Sequence, residues 1–275
     1  MPAAASPYKA LSFEMRGRVA LIQLTRPERR NAFSMDLKAD FAALMPELRN
    51  RSDIAAMVLT GSGGVFSAGG DMESWKNDPG EPLPNRRKVK AAHDWFRPLA
   101  DMECPVIAAV DGPAYGGGFA LALAADFVYA TPRARFCCAY VRMGLVPDVG
   151  VYETLPRLVG ARVAKDLILT GRSVGAEEAV SLGLVNTVLP EEGFLEAVLE
   201  TAARFEKAST FALGAAKSVL NQSYNLDSRA LIEMEVALEA LCLDSAYHRA
   251  ARDRFLAKQP AEFDWDRMDA AAKKG

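Results

Sequence analysis

A chain of 275 residues, half of them hydrophobic, with 33 Lys and Arg against 35 Asp and Glu, can bury one large core under a near-neutral surface. A net charge of −2 gives no electrostatic case for a nucleic-acid partner or an anionic membrane surface. Two histidines (His93, His248) and four cysteines without ligand-like spacing leave little for histidine triads or a metal site, and no metal is expected. The cysteine usage fits a reduced, cytoplasmic setting. The first residues lack the charged and apolar regions of a secretory leader, and no run reaches the ~18 apolar residues of a membrane span.

Residues 18–25 (Arg-Val-Ala-Leu-Ile-Gln-Leu-Thr) read as a strand that Arg26-Pro27 ends. Ser34 is placed to cap a helix over 35–50, with Leu37, Phe41, Leu44 and Leu48 at helical spacing. A second strand spans 54–60. Residues 73–90, polar and proline-containing, predict a mobile loop. A helix near 86–102 precedes a strand over 106–111, a small apolar helix over 117–124, and short strands near 126–130 and 135–138. The segment Gly144–Gly150 then leads into another helix. Strands alternating with helices predict an α/β core over 1–205. From about residue 190 the pattern is helical only. Within 227–257, Leu231, Met234, Leu238, Leu241 and Ser245 share a face, so a region over 206–275 is expected to pack on the core or on a neighbouring subunit.

Two glycine-rich turns stand out, Phe66-Ser67-Ala68-Gly69-Gly70-Asp71 and Tyr115-Gly116-Gly117-Gly118-Phe119. Each follows an apolar, strand-like run. Glycine permits close backbone approach and φ > 0, and a strand–turn–helix start aims free N–H groups at one spot. Two such turns can offer two donors to one developing oxyanion. Neither fits a P-loop or the dinucleotide fingerprint. Two tightly packed turns without a ligand remain the alternative.

Further anchors are Leu24-Thr25-Arg26-Pro27-Glu28-Arg29-Arg30-Asn31-Ala32-Phe33, Pro105 through Gly112 into the second glycine turn, Gly144-Leu145-Val146-Pro147-Asp148, and Leu155-Pro156-Arg157-Leu158-Val159-Gly160. In this order they resemble the crotonase (enoyl-CoA hydratase/isomerase) family over about residues 12–265. The resemblance implies a ClpP-like spiral of ββα units and C-terminal helices that build a homotrimer or a dimer of trimers. It also implies an acyl-CoA substrate, with coenzyme A present only as part of that substrate and no further cofactor. The family's oxyanion donors fall on the N–H groups of Ala68 and Gly117. Its CoA path falls on Arg29, Ala32, Ala68, Gly69, Gly70 and Asp71, with Lys258 and Phe263 matching a pattern that reaches a neighbour's CoA.

The chain departs from the family's hydratases at both of their glutamates, where it has Ala120 and Tyr140. Hydration needs a base for water and an acid for the α-carbon, so efficient hydration is not expected. Asp148 remains, where isomerases of the family place their base. One carboxylate suffices to take a proton from C2 and return it at C4, moving a double bond from C3 to C2. Capping of the following helix is its structural alternative. Tyr140 is either a pocket wall or an acid, and Trp75, Trp95 and Phe96 either contact the acyl chain or only pack. Two other functions stay open. Asp148 can act as a nucleophile, as in the family's dehalogenases, with His93 as base; or the chain binds CoA without turnover.

Overall fold

The computed structural model describes residues 7–76 and 81–272, with side chains to Ala270. The chain runs β1 (Leu11–Arg16), β2 (Val19–Leu24), α1 (Met35–Arg49), β3 (Ala56–Gly61), α2 (Pro82–Ala100) and β4 (Val106–Val110). It continues through β5 (Pro113–Tyr115), α3 (Gly117–Leu123), β6 (Phe127–Ala130), β7 (Arg135–Cys137) and α4 (Val151–Thr170). Then come β8 (Ser173–Gly175), α5 (Ala176–Ser181), β9 (Thr187–Val188) and α6 (Phe194–Ala203). Four helices follow: α7 (Thr210–Gln222), α8 (Ser228–Leu243), α9 (Ala246–Leu256) and α10 (Trp265–Ala272).

β1 and β2 form an antiparallel hairpin, after which every added strand of the large sheet is parallel, in the order β1-β2-β3-β4-β6-β9. A second sheet holds β5-β7-β8. The isolated bridge Ser67–Ala114 carries that second layer back toward the first glycine turn. β4-β5-α3 and β6-β7-α4 are therefore successive turns of one coil, each giving one strand to each sheet and then a helix. The spiral of ββα units expected from the sequence is present.

Both faces of the large sheet are covered, so its strands read as unbroken apolar runs. Ala20, Ile22, Met57, Leu59, Val106 and Ala108 join the cluster that includes α1, α2 and α3 side chains. The alternate residues Val19, Leu21, Ala56, Val58, Ile107 and Ala109 meet Phe194, Val198, Leu199 and Ala202 of α6. No helix among the described residues is long and apolar enough to cross a membrane.

Several expectations are corrected. β1 precedes the first strand read from the sequence, and the brief β5, β8 and β9 have no counterpart in that reading. Residues 82–90 form the start of α2 instead of a loop. Prolines in a first turn lack only N–H groups that have no intrahelical partner anyway. Residues 77–80 of that stretch lie outside the described residues. The apolar run over 227–257 is two helices, because Ser245 caps α9 by accepting the His248 N–H at 3.0 Å and is not a facial residue. No side chain of α8 or α9 is buried within this chain.

Candidate active site

The first glycine turn is fixed by Asn31. Arg30 and Asn31 both take positive φ (52° and 50°), a conformation asparagine tolerates better than most residues. Asn31 is 1% exposed. Its Oδ1 accepts from Arg26 N, its Nδ2 donates to the carbonyls of Ser62 and Val65, and its own carbonyl accepts from Ser67 Oγ at 2.7 Å. The two turns are then laced together, with Ser67 N donating to Pro113 O at 3.0 Å and Tyr115 N to Ser67 O at 2.9 Å.

Glycine is demanded where they touch. Gly69 has φ 83°, and a Cβ there would stand 2.4 Å from Tyr115 O and 2.8 Å from Gly117 N. A Cβ on Gly118 would lie 2.3 Å from Ser67 O. The N–H groups of this junction are not equivalent. Ala68 N donates to Arg30 O at 2.9 Å and Gly69 N to Ser67 Oγ at 3.2 Å. Gly70 N and Gly117 N have no hydrogen-bond partner among the described residues. Gly117 opens α3, so its N–H is one of the donors every helix start leaves over. The expectation for Gly117 thus meets a free donor, whereas the Ala68 N–H is already committed and Gly70 holds the free one.

From this junction an aromatic wall leads away. A Cβ on Gly117 would meet the Phe33 ring at 2.8 Å. Phe33 stands edge-on to Trp95 at 5.7 Å, Trp95 stacks on Phe41 at 4.7 Å, and Phe96 meets Trp95 edge-on at 6.0 Å. The far side of Phe96 faces His93 at 6.5 Å and the Gly150 backbone. The wall therefore runs from the free Gly117 N–H to the loop that carries Asp148. Trp95 and Phe96 are buried core residues, while Trp75 is exposed and lies against Gly70.

Asp148 is not a helix cap. α4 starts at Val151 behind Gly150, with no side-chain cap, and only the Asp148 carbonyl takes part, accepting from Val151 N at 3.2 Å. Val149 is held at φ 44°, a strained setting for a β-branched residue that costs on the order of 1–3 kcal/mol. The half-buried Asp148 carboxyl is pushed above the ordinary aspartate value by burial; Tyr140, His93 and Lys38 pull it back down. Tyr140, on the short 3-10 helix Ala139–Met143, is buried, and its hydroxyl is turned to the Asp148 carboxylate, the charged form of which it favours. Burial first, and then the Asp148 charge, raise its pKa strongly. Lys38 of α1 is half-buried, and burial lowers its pKa against the opposing pull of Asp148 and Asp71. Ala120 is buried inside α3, where it offers no titrating group.

A cleft of about 360 Å³ gathers Arg29, Ala32, Ala68, Gly70 and Asp71 with Arg30, Met72, Glu73 and Lys76. Arg29 pairs with Glu73 and stands 4.0 Å from Asp71. Lys258 and Phe263 are not brought there. Lys258 is exposed two residues past the end of α9, and Phe263 packs on Phe205 and Trp265 in the cluster beneath the opposite face of the large sheet. Lys38 escaped the sequence reading, because one lysine among the polar positions of an amphipathic helix carries no local signal.

The chain matches the family model described as enoyl-CoA hydratase/isomerase over residues 14–266. It belongs to that family, the crotonases. It is similar to 4-chlorobenzoyl coenzyme A dehalogenase-2 of Arthrobacter sp., at 36% identity over 82% of this chain and 83% of that protein. It is likewise similar to the 1,2-epoxyphenylacetyl-CoA isomerase of Escherichia coli (strain K12), at 32% identity over 89% of this chain and 94% of the relative. Among solved structures, an enoyl-CoA hydratase/isomerase from Cupriavidus metallidurans CH34 superposes with a TM-score of 0.89 at 37% identity, covering 94% of this chain and 97% of its own. The chain is thus an acyl-CoA enzyme of the crotonase family.

Proposed function

We propose that this enzyme shifts a double bond from C3 to C2 of an enoyl-CoA, with Asp148 as the base that moves the proton. The observations that support the reading are a half-buried carboxyl held above its ordinary pKa by burial, and two unpartnered N–H groups joined to the Asp148 loop by the aromatic series Phe33, Trp95 and Phe96. A base is most effective when its pKa approaches the working pH. The thioester oxygen is placed at the N–H groups of Gly117 and Gly70, each such donor being worth roughly 100- to 1,000-fold in rate. Asp148 takes a C2 proton, the dienolate rests on the two donors, and the proton returns at C4. The cleft beside Arg29, Ala32, Ala68, Gly70 and Asp71 receives the CoA moiety, with Arg29 exchanging Glu73 for a phosphate. Chains assemble as a homotrimer or a dimer of trimers through α8 and α9, whose apolar Ile232, Val236, Leu241 and Leu243 are exposed in the single chain.

A substrate panel tests this. A 3-enoyl-CoA should be converted to its conjugated isomer, while a 2-enoyl-CoA is hydrated slowly or not at all, since Ala120 and Tyr140 supply no carboxylate pair. Brisk hydration, or binding of every thioester without conversion, defeats the reading.

A second reading has its own support, because His93 is among the groups acting on Asp148 and dehalogenases are among the relatives. There Asp148 attacks a halogen-bearing ring carbon, halide leaves, and water then hydrolyses the aryl ester. In heavy-oxygen water, the first turnover of 4-chlorobenzoyl-CoA would release product whose new oxygen comes unlabelled from Asp148, later turnovers would carry label, and an aryl ester on Asp148 would be visible by mass. Label in the product of the first turnover, with no aryl ester, would refute the nucleophilic role.

A further inference from the structure

Phe33 touches both glycine turns at once. Its N–H donates to Gly69 O at 2.7 Å, and it pairs with Gly70 in an isolated parallel bridge. Its ring covers the other turn, where a Cβ on Gly117 would meet Phe33 Cε2 at 2.8 Å, Cδ2 at 3.0 Å and Cζ at 3.6 Å. Gly69 closes the figure, since a Cβ there would stand 2.8 Å from Gly117 N. The two N–H groups left without a partner among the described residues, those of Gly70 and Gly117, are thus both held by one residue, the first through its backbone and the second through its side chain.

Gly69 O and the Gly70 N–H are the two ends of one planar trans peptide, so a hydrogen bond that fixes the carbonyl also fixes the direction of the N–H. The same bond polarises the amide and strengthens the donor at its far end. At the second turn the ring acts as a stop. Gly117 opens α3 without a positive φ, so its backbone would accept alanine, and the three atoms nearest an added Cβ all belong to the Phe33 ring. The ring is itself backed. Phe33 is 7% exposed and lies edge-on to Trp95 at 5.7 Å, and Trp95 stacks on Phe41 of α1 at 4.7 Å. Its backbone is steadied from the next residue, because Ser34 caps α1, with its Oγ accepting the Leu37 N–H at 3.2 Å.

We propose that Phe33 is a positioning residue that sets the spacing and direction of the two oxyanion donors, the N–H groups of Gly70 and Gly117. This rests on the donor assignment made above and adds what holds the donors in place. A misplacement of about 1 Å at a reacting centre can cost about 100-fold in rate. Donors stabilise developing charge only where they are already aimed at it. Leucine at this position keeps the bond to Gly69 O and the apolar packing but lacks Cε2 and Cζ, so Gly117 gains room to drift from the thioester oxygen while Gly70 keeps its direction.

Hexanoyl-CoA with a heavy-carbon label at its thioester carbonyl reads the donors without any reaction, because its infrared carbonyl band falls in frequency as hydrogen bonds to the oxygen strengthen. Binding to the full wild-type chain should lower the band. Phe33→Leu should lose much of that shift while free CoA binds as before. Gly117→Ala should lose it too, since its Cβ is driven against the ring. Phe33→Leu combined with Gly117→Ala should recover part of it, because the Cβ takes the space the ring gave up. Turnover of a 3-enoyl-CoA should follow the band, falling about 10- to 100-fold in Phe33→Leu with KM little changed. A side chain that only filled the core would lower the melting temperature of Phe33→Leu and leave the band where it is, and that result overturns the proposal. So does a double variant no better than Gly117→Ala alone. A wild-type band that does not move on binding overturns the donor assignment as well. If the bands behave as expected and the wild type does not isomerise, only the reaction falls.

Discussion

Gly69→Ala tests whether the two glycine turns form one device. An alanine Cβ at this position would sit 2.4 Å from Tyr115 O and 2.8 Å from Gly117 N, both backbone atoms that cannot swing aside as a flexible side chain could. The residue must also hold φ 83°, outside the region L-residues favour. The left-handed conformation costs roughly 1–2 kcal/mol and the forced overpacking roughly 1–3 kcal/mol, so about 2–5 kcal/mol is expected in all. At roughly 2–4 °C per kcal/mol for a chain of this size, the melting temperature should fall by about 4–20 °C. Relief comes from spreading the turns, which pulls Gly117 N away from the thioester oxygen and should cut turnover by about 100-fold or more. Gly193→Ala is the matched control. Its φ is 69°, yet a Cβ there meets nothing within 4 Å, so it should lose only the conformational part, about 1–2 kcal/mol. Thermal melts and turnover of a 3-enoyl-CoA, measured on both variants, decide the matter. If Gly69→Ala is as mild as Gly193→Ala and turns over normally, the turns do not converge on the substrate.

Lys217 lies 2.6 Å from the half-buried Asp126, whose carboxyl also accepts the Val106 N–H. Burial already raises the Asp126 pKa against the pull of Lys217, so Lys217→Met should destabilise by roughly 1–3 kcal/mol at neutral pH. A carboxyl with a raised folded pKa favours the folded state when protonated. The deficit of the variant in urea midpoint should therefore shrink as pH falls through that raised value, and a deficit independent of pH would refute the pairing. Ile232→Lys with Val236→Lys places two charges on the exposed stripe of α8, and sedimentation should show smaller species; an unchanged assembly would remove α8 from the interface.

Much of this architecture was legible because its causes are local. The unbroken apolar runs that became β2, β3 and β4, the Ser34 cap of α1 and the two glycine turns each carry their signal within a few residues. What escaped depended on distant partners. Which N–H of Ala68, Gly69 and Gly70 stays free is settled by the Arg30 carbonyl and Ser67 Oγ, and the family resemblance points two residues away. Lys38 shows its coupling to Asp148 and Asp71, residues far from it in sequence, only in the folded chain. Prolines 82 and 84 signalled a break, yet they occupy a first helical turn, where proline is tolerated. The sequence leaves Asp148 open as a cap or a base, and Gly150 at the head of α4 removes the cap alone.

The central claim is that the Asp148 carboxylate moves the proton, and Asp148→Asn tests it most directly. The change preserves size and removes the basic oxygen, along with a charge that burial disfavours, so the folded protein should be at least as stable as wild type at neutral pH. Conjugation of a 3-enoyl-CoA is followed by ultraviolet absorbance, with CoA affinity measured alongside. Isomerisation should fall by about 100- to 10,000-fold while CoA affinity holds, the usual contribution of a positioned base. An Asn variant that isomerises at the wild-type rate would contradict the account.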